Sequence, residues 1–311
     1  MWAGETNLSL TFRRDEGHLA CASRAFGFFA LLMMLCGCSP RQVIVQGVAN
    51  ELASQGSAPE EDLPLAREAS AFYLKLSESI LREAPDNPRL AEAVAGGFTQ
   101  YTYAFVVFEA DRIEPKDARA AQKMRERAAR LYRRAHRHAM AALERRTPGF
   151  AHALASPDPK RWPVIADGQI GIVYWAAASW GGLISLSKDD PDVIADLPLA
   201  IRLASIAWAN APDFGEGALA SLMGTFEAAR PGGSSARAAA YFDRAIAAGG
   251  GRNAGVFVAR AEAIAMPAGD RAAFDALLRQ ALAAAVNRRD LQNEVMRERA
   301  QWLLDTADDF F

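Results

Sequence analysis

Residues 127–135 read Arg-Ala-Ala-Arg-Leu-Tyr-Arg-Arg-Ala, and residues 237–245 read Arg-Ala-Ala-Ala-Tyr-Phe-Asp-Arg-Ala. The two stretches align without a gap. In each, an alanine is followed after four residues by an aromatic residue, and after three more by another alanine. On a helix these positions share one face, so a small residue lies where two helices approach and a ring fills the space between turns. The two stretches therefore predict a repeated unit of helix packing.

The helical period continues through most of the chain after residue 62. Apolar residues recur at steps of three or four from Leu65 to Ile80, from Leu90 to Phe108 and from Met124 to Ala142. Breaks rich in proline and glycine delimit about ten helices, and no alternating run of β-branched residues indicates a strand. The sequence therefore predicts an all-α fold.

The repeated unit resembles the alanine and aromatic core of the tetratricopeptide repeat. A closing proline also recurs, at Pro85, Pro148 and Pro212. The spacing is irregular, so we expect an array of degenerate tetratricopeptide-like antiparallel pairs, in preference to a generic helix bundle.

The first residues have the pattern of an export signal. Arg13, Arg14 and Arg24 precede an uncharged stretch over 25–35, which has the length of a signal-peptide core and is too short to span a bilayer. It ends in Leu-Cys-Gly-Cys at 35–38, which resembles the bacterial lipobox. The alternatives are a plain secretory peptide and an N-terminal anchor helix.

The lipobox resemblance implies cleavage before Cys38 and acylation of that cysteine. We therefore expect a signal peptide over 1–37, a lipidated cysteine with a flexible tether over 38–62, and one helical domain over 63–311. Ser39 follows the cysteine, where an aspartate would favour retention at the inner membrane. The expected location is the outer membrane, with the domain facing the periplasm.

Cysteine count and charge exclude several classes of function. The three cysteines are Cys21, Cys36 and Cys38, so the processed chain would have no disulfide and no thiolate metal site. The net charge of −2 argues against a nucleic-acid partner and gives no sign of a polybasic membrane-binding face.

One segment, residues 168–187, carries no charged residue over a length that could cross a membrane. Its glycines, its serines and the central position of Tyr174, Trp175 and Trp180 argue against a span, because interfacial aromatics belong at both ends. We expect a buried central helix, with a transmembrane span and an oligomer interface as the alternatives.

No pattern indicates catalysis, a metal or a cofactor. His136 and His138 lie about 200° apart on a helix and cannot share a metal ion. The sequence contains no zinc-protease helix, phosphate-binding loop or nucleophile elbow. We therefore expect a protein that is not an enzyme.

The aromatic residues have two interpretations. They are core residues, or they line an apolar groove that binds an organic acid with a fatty or aromatic part. Tyr101 and Tyr103 are the better ligand candidates, because a buried hydroxyl needs a partner. The hypothetical site, called the aromatic groove below, consists of Tyr101, Tyr103, Phe105, Trp175 and Trp180.

The order of several further motifs resembles the T-component family of TRAP transporters, the tripartite ATP-independent periplasmic systems. The motifs are Pro-Asp-Asn-Pro at 85–88, the aromatic run at 96–105, the unit at 127–135, Tyr-Trp-Ala-Ala-Ala-Ser-Trp-Gly at 174–181, Pro-Asp-Phe-Gly-Glu-Gly-Ala at 212–218 and Phe-Phe at 310–311. The resemblance implies paired helices, an outer-membrane lipid anchor, association with a periplasmic solute receptor, and a homo-oligomer.

Two functions remain open from the sequence. The first is an accessory component of organic-acid uptake that docks the solute receptor and binds the solute. The second is a helical-repeat scaffold for envelope assembly with no small ligand.

Overall fold

A computed structural model describes residues 40–54 and 62–311 of the chain. Contacts divide the chain into two units, residues 1–44 and 45–311. The described part of the first unit is residues 40–44, the start of helix α1 (Pro40–Ser54). The described residues form helices and turns, and none of them forms a strand, which confirms the all-α prediction.

Helix α1 lies in the segment for which the sequence predicts a flexible tether, so residues 40–54 differ from that expectation. Ala49 is fully buried, and the Asn87 side-chain amide donates hydrogen bonds of 3.0 Å to Gln46 and Asn50. The predicted signal peptide, Cys38 and residues 55–61 lie outside the described residues.

The remaining helices follow one another with short connections, except for residues 156–169, which contain two 3-10 turns at Pro159–Arg161 and Asp167–Gln169. They are α2 (Leu63–Glu83), α3 (Pro88–Thr102), α4 (Phe108–Ile113), α5 (Ala118–Arg146), α6 (Phe150–Ala155), α7 (Ile170–Ser185), α8 (Pro191–Ile194), α9 (Leu197–Asn210), α10 (Ala218–Ala229), α11 (Ser235–Ala248), α12 (Ala254–Arg260), α13 (Arg271–Asn287) and α14 (Leu291–Asp305). Two π-helical turns occur, at Tyr103–Val107 between α3 and α4 and at Ala261–Ala265 after α12.

Side-chain caps explain where several helices begin. Asp62, Asn87 and Asp117 each accept a hydrogen bond from a backbone N–H in the first turn, at 3.0, 2.9 and 2.9 Å. Such caps satisfy donors that the helix itself leaves free. At α2 and α3 a proline also stands at the first or second helical position, where its missing N–H costs nothing.

The repeated unit packs in the same way in both copies. Tyr132 on α5 lies on Gly182 of α7, where an added Cβ would be 2.7 Å from the ring carbon Cζ. Phe242 on α11 lies on Gly224 of α10, where an added Cβ would be 2.9 Å from Cε2. Both rings are buried, and so are the alanines of the two units, Ala128, Ala135, Ala238 and Ala245, as the pattern predicts, whereas the glycines under the rings were not predicted.

The uncharged segment becomes the central helix α7, which packs against α3, α5 and α9. Its buried residues include Ile172, Val173, Ala176, Ala177 and Leu183, which lie on several sides of the helix. The burial agrees with the prediction of a core helix. Among the described residues, no helix is long and apolar enough to cross a membrane.

A second core cluster forms from α12, α13 and α14 around Phe257, Phe274, Leu278 and Leu303. The rings of Phe310 and Phe311 pack on Phe274 with centroid distances of 6.4 and 5.2 Å. The last residues of the chain therefore complete this cluster.

The apolar face of α2 is only partly covered, which the periodicity did not predict. Leu65 and Phe72 are 56% and 66% exposed, and the neighbouring Tyr73 is 45% exposed. Leu74 and Leu81 face the core instead. Periodicity identifies an apolar face but does not say which element covers it.

Candidate solute and partner site

Helices α3 and α7 approach closely because each presents a glycine to a large side chain of the other. The indole of Trp175 lies on Gly96, where an added Cβ would be 2.6 Å from Cε2. The carboxylate of Glu92 lies on Gly171, where an added Cβ would be 2.0 Å from Oε1. Burial raises the pKa of Glu92 above its usual value, because the charged carboxylate is poorly solvated in this interface.

Aromatic rings surround Trp175 on the same helix and beyond it. Tyr174 meets the Trp175 ring edge-on at 4.8 Å and the Phe214 ring at 5.5 Å. Burial raises the pKa of the Tyr174 hydroxyl to about 12, which keeps it a neutral donor.

Helix α5 contributes a neutral histidine to α7. The His136 ring lies 4.4 Å from the Trp180 ring, and its Nδ1 is 3.0 Å from the Ala176 carbonyl oxygen. Because a carbonyl can only accept, Nδ1 carries the proton and Nε2 is left as an acceptor. Burial lowers the pKa of His136, although the hydrogen bond to Ala176 opposes this shift.

The first π-helical turn places Tyr103 beside a buried arginine from the C-terminal helix. The Arg299 guanidinium lies 5.4 Å from the Tyr103 ring centroid and 5.3 Å from that of Phe108. It donates hydrogen bonds to Glu262 at 2.6 Å and to Asp111 at 3.1 Å. Glu262 belongs to the second π-helical turn, so Arg299 connects the elements at both irregular turns. Such turns often occur at functional sites.

Two phenols near Arg299 are left without a partner. Burial is the largest cause that raises the pKa of Tyr103 and of Tyr132, and no hydrogen bond contributes to either shift. Neither hydroxyl donates a hydrogen bond to any side chain or backbone group of residues 40–54 and 62–311. Neither oxygen is among the fully buried side-chain atoms that lack a partner, so water or a bound oxygen atom can accept a hydrogen bond from each hydroxyl.

The structure separates the five residues of the predicted aromatic groove into three neighbourhoods. Tyr101 and Phe105 contact each other at 5.4 Å, Tyr103 lies beside Arg299, and Trp175 and Trp180 lie on α7 with Gly96 and His136 as neighbours. The five residues do not form one cluster, and the aromatic groove stays a prediction.

Sequence reasoning missed several residues of this region, namely Glu92, Tyr132, His136, Glu262 and Arg299. The repeat pattern assigned Tyr132 a packing role only, and the spacing of His136 and His138 only excluded a shared metal ion. Arg299 had no local signal, because its partner Asp111 is 188 residues away. Among the described residues, no group of three His, Cys, Asp or Glu could hold a metal ion.

The fold and this region define a class of protein: an all-α chain with an uncharged central helix that carries Tyr174, Trp175 and Trp180, and with a buried arginine beside the aromatic residues Tyr103 and Phe108. The family model of the TRAP transporter T-component matches residues 59–311, and the chain belongs to this family. The family consists of accessory proteins of transport systems, associated with the cell envelope.

The chain is also similar to a protein of Treponema pallidum (strain Nichols). The two are 26% identical over 312 residues, which cover 91% of this chain and 96% of the Treponema protein. That protein is described as uncharacterized, so it adds no functional assignment.

Proposed function

We propose that this protein is a lipid-anchored component of a TRAP system that docks the periplasmic solute receptor. The observation that carries the proposal is the family match over residues 59–311, which supports an accessory role in TRAP transport. The lipobox-like sequence at 35–38 supports an anchor at Cys38, in the outer membrane and facing the periplasm. A tether raises the local concentration of the protein for a receptor that diffuses past it.

The solute of the proposed groove is an organic acid with an apolar part. Aromatic rings on α3 and α7 would pack against the apolar part. The hydroxyls of Tyr103 and Tyr132 would donate hydrogen bonds to the carboxylate oxygen atoms, and Nε2 of His136 would accept only from a hydroxyl group of the solute. Burial keeps both phenols protonated and lowers the His136 pKa, so the two hydroxyls act as donors and the imidazole as an acceptor.

A homo-oligomer is part of the same proposal. The exposed face of α2, made of Leu65, Phe72 and Tyr73, is an apolar surface that a second copy would cover. Phe72 and Tyr73 form an edge-on ring pair at 5.8 Å, the kind of aromatic anchor that stable interfaces use.

Tryptophan fluorescence tests solute binding directly, because Trp175 and Trp180 line the proposed groove. We expect aliphatic or aromatic carboxylates to change the emission in a saturable way. Tyr103→Phe removes one hydroxyl and keeps the ring, so it should weaken binding about fivefold to tenfold. Tyr73→Phe, at an exposed position on α2, is the matched control and should leave the affinity unchanged.

An unchanged affinity in Tyr103→Phe would place the solute elsewhere. If no carboxylate gives saturable binding, the aromatic residues are core residues and the protein binds no solute. Receptor docking and the scaffold function would then remain as the two candidate functions.

A further inference from the structure

Helix α5 exposes a row of basic side chains along its outer face. The spacing is three or four residues throughout, so all members lie on one side of the helix. At 1.5 Å per residue the row is about 27 Å long. Its members, called the basic ridge, are Arg119, Lys123, Arg127, Arg130, Arg133 and Arg137, all exposed.

The charges of the basic ridge are not neutralised by neighbours. Arg125 and Arg134, which flank it on α5, are paired with Asp111 at 3.1 Å and with Glu78. In contrast, no side chain of the basic ridge forms an ion pair within the part of the chain that the structure describes. Glu126 is the one acidic residue between Arg119 and Arg137 in the sequence.

The net charge of the chain does not indicate the basic ridge. The whole protein carries −2, so the residues outside α5 are acidic on balance. From the near-neutral net charge we expected no polybasic face. The structure corrects that expectation, because basic side chains are concentrated on α5 and acidic side chains lie mainly on other elements.

The surroundings of the basic ridge fit a headgroup layer better than a protein partner. The large apolar side chains that are exposed in the described residues, such as Leu65, Phe72 and Val286, lie on other elements and none lies on α5. Stable protein interfaces need apolar or aromatic anchors at their centre. Adsorption to an anionic bilayer needs only unpaired cations near the headgroups.

We propose that the basic ridge binds the phosphate groups of anionic phospholipids and so sets the orientation of the domain on the membrane. The acidic remainder of the chain is repelled by the same surface, so one orientation is favoured over the others. The contact is a weak second attachment that adds to an acyl anchor. It depends neither on the receptor nor on a solute, and it goes beyond the proposed function.

The test uses the chain from residue 39 onward, which has no acylated cysteine and contains the whole unit 45–311. Vesicles of phosphatidylcholine alone are compared by co-sedimentation with vesicles containing about 30% phosphatidylglycerol. We expect binding to the anionic vesicles only, and a loss of binding as salt rises from about 0.05 M to about 0.5 M.

The variant with Arg127→Glu, Arg130→Glu and Arg133→Glu should lower the partition to anionic vesicles at least about tenfold. A control with Arg67→Glu, Lys160→Glu and Arg252→Glu changes the net charge equally at exposed positions away from α5, and should stay within about twofold of the parent protein. Replacement of the same three ridge arginines by glutamine should give an intermediate loss, which excludes an effect of misfolding. Circular dichroism confirms the fold of each variant.

Equal losses in the ridge and control variants would show that net charge alone decides binding and would overturn the proposal. The proposal also fails if the parent protein does not bind anionic vesicles at low salt. If the parent protein does not bind vesicles but binds a purified solute receptor, and the ridge variant loses that affinity, then the basic ridge binds an acidic protein and not phospholipid.

Discussion

Replacement of Glu78 by glutamine tests how the first helix of the domain is held to α5. The Glu78 carboxylate is 3% exposed and accepts hydrogen bonds from Arg134, from Lys75 at 2.7 Å and from His138 at 2.9 Å. The His138 ring stacks on Phe98 at 6.1 Å, and the Arg134 guanidinium covers the same ring at 5.0 Å. Loss of the charge would leave the Arg134 and Lys75 cations without their shared anionic partner.

The magnitude follows from the pKa of Glu78. Burial raises this pKa, but the hydrogen bonds of Arg134, Lys75 and His138 outweigh burial and bring it down from 4.5 to about 2. The difference corresponds to about 3 kcal/mol of stability at neutral pH. That value lies at the lower end of the cost of breaking a buried ion pair, as expected because Arg134 and His138 are partly solvated.

The pH dependence has a definite sign. A carboxylate whose pKa is lower in the folded state stabilises the fold above the unfolded pKa and loses this contribution as pH falls. The stability gap between the parent protein and Glu78→Gln should therefore be about 3 kcal/mol at pH 7 and less than about 1 kcal/mol near pH 2.

Urea unfolding followed by circular dichroism measures the gap at each pH. Glu68→Gln, at an exposed position on the same helix, is the control and should change the free energy of unfolding by less than about 0.5 kcal/mol. A gap below about 1 kcal/mol at pH 7, or one that persists at low pH, would refute the assignment of Glu78 as the charge centre of this contact.

Three further predictions concern packing, assembly and the anchor. Gly182→Ala should lower the free energy of unfolding by about 2 kcal/mol, because the added Cβ would lie 2.7 Å from the buried Tyr132 ring. Gly168→Ala is the control: its added Cβ has no neighbour within contact distance, so the free energy of unfolding should not change. Phe72→Ser should lower the molecular mass in sedimentation equilibrium if α2 forms the oligomer contact; an unchanged mass contradicts that contact. Cys38→Ala should move the protein out of the detergent phase, and wild-type protein without acyl groups at residue 38 would disprove the anchor.

Local pattern was sufficient for much of the fold. Ala128 and Ala135 on α5 are fully buried, and the uncharged segment lies at the centre. Small and apolar residues at helical spacing form a face that is stable only when it packs against other helices.

Other features had no local signal. Helix α1 was missed because Gly56, Ser57 and Pro59 indicated a linker for the whole segment 38–62, although 40–54 contain several apolar residues. The exposed face of α2 was predicted to be covered. The Glu78 and Arg299 clusters join residues that are 56 and 188 positions apart, and the residue spacing of a single helix contains no information about such pairs. The basic residues of the ridge can be read from the sequence, but only the structure shows that they have no acidic partners among the described residues.

The central claim is that the protein docks the solute receptor of a TRAP system, and a binding measurement between purified components tests it most directly. The chain from residue 39 onward is mixed with a TRAP-type solute receptor of the same organism, and complex formation is measured by sedimentation velocity with and without an organic acid. The account predicts a specific, rapidly dissociating complex with an affinity in the micromolar range. No complex at high micromolar concentration in either state, together with unchanged organic-acid uptake in a deletion strain, would contradict it.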